Sequence, residues 1–136
     1  MTVIVCTDDR GGMLFMKRRV SRDRLLIEDV CKTAEDGMLY ISDYSEELFS
    51  DSDASVISVS RPLTSAGEGD FVFIENEHLT PYLEKIRTLI IYRFNRTYPF
   101  DFSLDVVPEE CGFSLSESYD FKGYSHEKIT KEIYVK

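Results

Sequence analysis

The chain has 136 residues, which is the length of one ordinary domain. Its 25 acidic and 16 basic residues give a formal net charge of −9, which argues against a nucleic-acid-binding protein, because phosphate binding depends on clustered cations. Apolar runs such as residues 89–92 are far shorter than the roughly 20 residues that cross a membrane. We therefore expect a single domain, residues 1–136, that binds neither nucleic acid nor membranes.

The first half of the chain alternates predicted strands and helices. The β-branched residues 2–6 predict a buried strand. Apolar residues at helical spacing predict a helix that has Ser21 as its N-cap and ends near Gly37. A short strand at 38–41 and a helix at 42–50 follow.

The second half begins with a predicted solvated turn at 51–53 and is then rich in predicted strands. Thr80 and Pro81 predict the N-cap and first position of a short helix that runs through Ile86. Residues 128–135 alternate as a half-exposed edge strand would. The strand candidates are 55–59, 71–74, 89–94, 113–119 and 128–135.

This order predicts an α/β domain with one mixed β-sheet, flanking helices and a C-terminal antiparallel hairpin. Strands 2–6 and 71–74 are expected at its centre, because both are apolar on both faces. Cys6, Cys31 and Cys111 are an odd number without C-x-x-C spacing, which favours a reduced, cytoplasmic protein.

Five of the sixteen cations stand within eight residues: Lys17, Arg18, Arg19, Arg22 and Arg24. Arginine is well suited to bidentate contacts with phosphate or carboxylate, so this cluster is a candidate site for a small anion. The alternative is that these cations pair with the protein's own surplus of carboxylates, either within the chain or across a dimer.

The element order and several local patterns resemble dihydrofolate reductase along nearly the whole chain. Thr2–Thr7 is similar to that family's first strand, and Gly11-Gly12-Met13 to the mobile loop over its active site. Ser21-Arg22-Asp23-Arg24-Leu25 stands where the family begins the helix that carries its substrate-binding carboxylate. Residues 70–76 resemble the strand that ends in its glycine pair, and the last strands resemble its closing hairpin. The resemblance implies the same fold.

The chain is also similar to a set of small bacterial proteins, some of them called ribonuclease Z. The shared patterns are Arg18-Arg19-x-Ser21-Arg22-Asp23 and the segment 125–132. A zinc hydrolase of that kind needs a cluster of His and Asp ligands, and His78 and His126 are the only histidines here. We therefore expect neither a metal site nor a metal-dependent ribonuclease.

The resemblance to the reductases breaks down at the cofactor motifs. Glu75 and Asn76 stand where the family has its glycine pair, Glu77 follows them, and Asp43 stands where the family has an arginine. Side chains would block the close backbone approach that glycine permits, and carboxylates would repel a diphosphate. The sequence therefore predicts no nicotinamide cofactor.

Other polar groups are interpreted as structural. Ser125, His126 and Glu127 are neighbours, and adjacent residues of a strand point to opposite faces, so this grouping predicts no catalytic triad. The adjacent Asp8 and Asp9 are typical of a solvated surface. Asp23 either binds the guanidinium-like or amide edge of a heterocycle or simply stabilises the first turn of its helix.

Three hypotheses for function follow. The leading one is a protein that binds a small anionic or heterocyclic molecule through Asp23, Arg18, Arg19 and Arg22, in a cleft between loop 11–19, the helix after Ser21 and the end of strand 71–74. The second is an atypical NAD(P)H-dependent reductase. The third is an interaction module in which the late strands form a homodimer.

Overall fold

The computed structural model describes residues 1–52 and 55–136. Within these residues the chain forms ten strands, as follows: β1 (Thr2–Thr7), β2 (Gly12–Phe15), β3 (Arg18–Arg19), β4 (Leu39–Ile41), β5 (Val56–Ser58), β6 (Phe71–Phe73), β7 (Thr88–Arg93), β8 (Phe102–Ser103), β9 (Ser114–Phe121) and β10 (Ile129–Val135).

The helices that connect these strands are mostly short. Two are α-helices, α1 (Arg24–Thr33) and α2 (Pro62–Ser65), and three are 3₁₀ helices, η1 (Asp43–Phe49), η2 (Thr80–Lys85) and η3 (Pro108–Cys111). In the described part of the chain, no helix is both long enough and apolar enough to cross a membrane.

Seven of the strands form the main sheet, in the order β5-β4-β6-β1-β7-β10-β9. The strands from β5 to β7 are parallel, β10 runs antiparallel to β7, and β9 and β10 form the antiparallel hairpin. The predicted mixed sheet, its closing hairpin and the interior positions of β1 and β6 are confirmed.

The central strand β1 is buried on both faces because its side chains alternate between two cores. Val3 and Val5 pack with Leu63 of α2 and Leu79 before η2. On the other face, Ile4 packs with Leu26 and Val30 of α1 and with Phe49 of η1. Helices therefore lie on both faces of the sheet.

A second, three-stranded sheet in the order β3-β2-β8 was not predicted. Its strands are only two to four residues long, too short to show any periodicity. In this sheet the backbone of Gly12 lies directly against the ring of Phe100. A Cβ on Gly12 would be only 2.5 Å from that ring, so only glycine fits there. This sheet places Arg18 and Arg19 on β3, beside the main sheet.

The predicted helix caps were wrong at both helices. Asp23, not Ser21, is the N-cap of α1, because its carboxylate reaches the free N–H groups of the first turn. At η2 the cap residue is Leu79 rather than Thr80. Asp105, distant in sequence, accepts the N–H groups of both residues and so takes the place of a local cap.

The prediction that residues 128–135 form an edge strand was also wrong, because β10 lies between β7 and β9 and β9 is the edge. The polar residues that suggested an edge are paired instead. Glu132 binds Arg93 at 2.6 Å, and the hydroxyl of Thr130 donates to Asp120 at 2.7 Å. The predicted turn at 51–53 lies partly outside the described residues.

Candidate functional site

The parallel strands all end at the same edge of the main sheet, which is where open α/β sheets bind their ligands. Three polar features lie at this edge, namely a buried aspartate and histidine, an ion pair and a small polar pocket, and a larger cleft extends from it along α1. Each is built from segments that are distant in the sequence.

Asp23 is 3% exposed, and its two carboxylate oxygens are fully occupied. Oδ1 accepts the backbone N–H groups of Leu25 at 3.0 Å and Leu26 at 3.2 Å, which caps α1. The same oxygen accepts the N–H of Tyr124 at 2.9 Å, from the turn that joins β9 to β10. Asp23 therefore binds the start of α1 and the hairpin turn together.

The second oxygen, Oδ2, completes what we call the Asp23 clasp. It accepts the N–H of Ser125 at 2.9 Å, the hydroxyl of Ser125 at 3.2 Å and Nδ1 of His126 at 2.9 Å. Burial alone would raise the pKa of Asp23, but the hydrogen bonds from the turn, His126 and the helix outweigh it and lower the pKa to about 2. A Cβ on Gly123 would lie 2.5 Å from Oδ2, so the clasp requires glycine there.

His126 is 4% exposed and lies stacked on Phe94, with the ring centroids 4.8 Å apart. Its Nε2 atom is 2.9 Å from the hydroxyl of Ser21 and 3.1 Å from that of Tyr98. Asp23, His126 and Ser21 are therefore joined in one line of hydrogen bonds. Ser21 is half-buried.

Asp8 holds the Tyr98 side of this group. The interpretation of Asp8 as solvated surface was wrong, because Asp8 is fully buried. It accepts the N–H groups of Arg10 at 2.8 Å, Gly12 at 2.7 Å and Tyr98 at 3.0 Å. Buried aspartates commonly have this role, because their carboxylate oxygens accept the backbone N–H groups of a loop that would otherwise have no partner.

Arg19 and Glu75 form the ion pair at this edge. Nε of Arg19 lies 2.8 Å from Oε1 of Glu75, and Nη2 lies 3.2 Å from Oε2, so the contact is bidentate. The hydroxyl of Ser45 donates to Oε2 at 2.7 Å, and Glu47 also contacts the guanidinium. Burial lowers the pKa of Arg19, but the bonds to Glu75 and Glu47 outweigh it, so the pKa is raised. The charge of Glu75 is thus compensated within the protein.

A polar pocket of about 640 Å³ lies beyond this ion pair, where β4 and β6 end. Oγ of Ser42 and Oε2 of Glu77 are buried there without a hydrogen-bond partner among the described residues. Burial raises the pKa of Glu77, against the smaller opposing effect of Arg61. The pocket is lined by Ser42, Asp43, Tyr44, Ser60, Asn76 and Glu77.

A cleft of about 980 Å³ lies between α1, η1 and the hairpin turn. Ile27, Cys31 and Leu48 give it an apolar floor. At the end where α1 begins, the guanidinium of Arg24 lies 4.2 Å from the ring centroid of Tyr124. The polar residues of the rim are Arg22, Asp23, Arg24, Glu28, Lys32, Glu35, Glu47, Asp51, Ser52 and Ser125.

The structure separates the four predicted ligand-binding residues into two kinds. Asp23 and Arg19 have partners within the protein, and Arg19 spans the space in which the sequence predicted the cleft. Arg18 and Arg22 are exposed, and neither forms an ion pair with any described residue. Of the four, Asp23 and Arg22 line the observed cleft.

Sequence reasoning missed the connection between His126, Ser21 and Asp23. It treated His126 together with its neighbours, but Asp23 is 103 positions away and Ser21 is 105 positions away. No spacing rule relates residues so far apart. Among the described residues, no group of three His, Cys, Asp or Glu side chains is arranged to hold a metal ion.

Comparison with known proteins gives a structural match and no sequence match. No protein-family model matches the chain, and no curated protein matches it. Among solved structures, it is similar to dihydrofolate reductase from Enterococcus faecalis complexed with NADP(H) and RAB-propyl. The match has a TM-score of 0.66 at 9% identity and covers 99% of this chain and 95% of that one. Identity this low bears on the fold alone, and by that measure the protein has a dihydrofolate reductase-like fold.

Proposed function

We propose that this cytoplasmic protein binds a small anionic, heterocyclic molecule in the cleft between α1 and η1. The observation that carries the proposal is an apolar floor beside the guanidinium groups of Arg22 and Arg24, neither of which forms an ion pair with any described residue. Its volume of about 980 Å³ is at the upper end of what small-molecule sites use.

The floor and the hairpin turn suit a flat ring. Ile27, Cys31 and Leu48 offer apolar surface along one side. Tyr124 is 65% exposed, so its ring is available for stacking at the end where Arg24 lies. Aromatic rings and guanidinium planes both stack on heterocycles.

The anionic group of the ligand is proposed to contact Arg22, with Arg18 as a second cation nearby in sequence. The first N–H groups of α1 are already bound by Asp23, so they do not serve as the anion site. A guanidinium binds carboxylate or phosphate bidentately and supplies that contact instead. Asp23 and Arg19 then have supporting roles, since they hold the hairpin turn and η1 that form the walls.

The residues of the polar pocket do not fit the diphosphate of a nicotinamide cofactor. Asp43 and Glu77 present carboxylates, and one buried oxygen of Glu77 already lacks a donor among the residues that the structure describes. Ser42, Ser60 and Asn76 offer donors there, but an anion would also meet two carboxylates and no cation among the residues that line the pocket. This supports a binding protein without that cofactor over the atypical reductase.

A panel of aromatic carboxylates and phosphates in a thermal-shift assay tests the proposal, with NADPH and inorganic phosphate as additional ligands. At a hundredfold excess over Kd, a bound member adds about 2.7 kcal/mol and should raise Tm by about 8–10 °C. Arg22→Glu should abolish this shift. Arg87→Glu is the matched control, because Arg87 precedes β7 at the opposite edge of the sheet and should leave the shift intact.

Stabilisation by NADPH that is independent of Arg22 would favour the reductase. No stabilisation by any member of the panel would contradict ligand binding.

A second candidate is the homodimer, which the edge strand β9 favours. Nearly all of its residues are exposed, with Leu115 and Tyr119 about half exposed. An unpaired edge of this length can add a strand from a second copy. A monomer in sedimentation equilibrium would exclude this candidate.

A further inference from the structure

The hydrogen-bonded line through Ser21, His126 and Asp23 has the connectivity of a nucleophilic serine site. The hydroxyl of Ser21 lies 2.9 Å from Nε2 of His126, and Nδ1 lies 2.9 Å from Oδ2 of Asp23. We propose that these three residues hydrolyse esters of small carboxylic acids, with Ser21 as the nucleophile. Asp23 also lines the ligand cleft, but the proposed hydrolysis uses Ser21 and His126, which do not line it, and does not depend on ligand binding there.

The surroundings fix the protons in the order that such a reaction needs. The pKa of Asp23 is lowered to about 2, so its carboxylate is ionised at neutral pH and can only accept hydrogen bonds. A neutral His126 therefore carries its proton on Nδ1, facing Asp23. The lone pair on Nε2 then faces the hydroxyl of Ser21 and can take its proton.

The groups packed around His126 keep this arrangement in place. Phe94 stacks on the ring, and Tyr98 offers a second hydroxyl to Nε2 at 3.1 Å. Ser125 lies 3.2 Å from Nδ1 and also binds Asp23. Asp23 is thus the one charged side chain in contact with the imidazole among the described residues.

A developing oxyanion needs a donor close to the nucleophile. The backbone N–H of the residue after the nucleophile is a common choice. Here that residue is Arg22, whose N–H makes no hydrogen bond within the described part of the chain. Because Ser21 is only half-exposed and His126 is buried, the site suits small acyl groups.

The reaction takes place in two balanced steps. The Oγ of Ser21 forms a bond to the carbonyl carbon of the ester while its proton moves to Nε2 of His126. The bond to the alcohol oxygen then breaks, and the alcohol leaves with that proton, so that Ser21 is acylated. Water repeats the sequence: it gives its proton to Nε2, its oxygen bonds to the acyl carbon, and the carboxylic acid leaves as Ser21 recovers the proton.

A fluorophosphonate probe tests the assignment without any substitution. We expect one phosphonyl group per folded chain, located on Ser21 by peptide mass spectrometry. Hydrolysis of p-nitrophenyl acetate supplies the second measurement, in which Ser21→Ala should lose at least about 100-fold in rate. Ser118→Ala is the matched control. Ser118 is an exposed serine on β9 that is paired with Glu132 of β10, and it forms no hydrogen bond with His126 among the described residues.

The outcomes are separable even where a variant is destabilised. Circular dichroism of Ser21→Ala must show the wild-type fold for its rate to count, and the labelling experiment uses the wild-type protein only. Labelling of Ser125 or of no residue would overturn the proposal. So would a folded Ser21→Ala protein that hydrolyses the ester at the wild-type rate. In either case the three residues would have only the structural role of the Asp23 clasp.

Discussion

Two carboxylates after β6, separated by a single residue, have opposite environments. Glu75 is buried, and its oxygens bind Arg19 twice and Ser45 once. Glu77 lines the neighbouring polar pocket, where one of its oxygens is buried with no hydrogen-bond partner in the described part of the chain, and burial raises its pKa. One region of this edge is a closed network, and the other is an open site with unused hydrogen-bonding capacity.

The difference shows that a carboxylate's effect depends on its donors rather than on its position in the sequence. Asp23 belongs with Glu75, because six donors occupy its oxygens. Such satisfied groups fix the geometry of a site, since removing one partner leaves a buried charge uncompensated. A buried carboxylate oxygen without a donor, as in Glu77, destabilises the folded protein. Replacing such a group should therefore not lower the free energy of unfolding.

Breaking the closed network at Arg19 should have the largest effect. We expect Arg19→Met to lower the free energy of unfolding by about 3–5 kcal/mol, because it leaves Glu75 buried and without its cation. Urea denaturation monitored by circular dichroism measures this change.

Arg18→Met is the control for that experiment. Arg18 is the neighbouring residue on β3, is exposed and forms no ion pair with the described residues. Its substitution should change the free energy by less than about 0.5 kcal/mol. Equal effects of the two substitutions would show that the bidentate contact contributes nothing to stability.

Acid should open the Asp23 clasp. The folded-state pKa of Asp23, about 2, lies below its ordinary value of 3.8. A depressed pKa means that the ionised form stabilises the fold above pH 4, and that this stabilisation is lost as the pH falls through 2. The shift corresponds to about 2 kcal/mol.

Other carboxylates titrate in the same range, so the Asp23 contribution is measured as a difference between two proteins. Asp23→Asn cannot ionise, and its amide would face N–H groups in place of a carboxylate oxygen. We expect wild type to be more stable by about 2 kcal/mol at pH 7, with the gap narrowing between pH 4 and pH 2. A gap that is constant across this range would contradict the depressed pKa.

The fold was predictable where burial determines the residue pattern. Strands 2–6 and 71–74 are apolar on both faces because both faces of the sheet are covered, so their central position could be inferred. The small sheet could not, since β3 has only two residues, and β8, which pairs with β2, comes from a distant part of the chain. Long-range capping, as by Asp105 at η2, likewise has no local signal.

The candidate site was predictable only as a set of residue types. The cluster of arginines and Asp23 stood out because charge is unevenly distributed along the chain. Which of them bind within the protein depended on Glu75, 56 positions from Arg19, and on His126, 103 positions from Asp23. Local spacing carries no information about such pairs.

The smallest expected effect is at Glu77, and its sign is opposite to that at Glu75. A raised pKa means that the folded protein disfavours the ionised carboxylate, so Glu77→Gln should stabilise the fold at pH 7. We expect about 0.5 kcal/mol, because Glu77 is partly exposed and solvent screens its charge. The gain should vanish below the ordinary pKa of 4.5, where Glu77 is protonated in both states. Glu75→Gln, measured alongside by urea denaturation at both pH values, should instead destabilise at pH 7 because it removes the partner of Arg19. If both substitutions destabilise the protein, the polar pocket is as well satisfied as the closed network, and the contrast between the two regions does not hold.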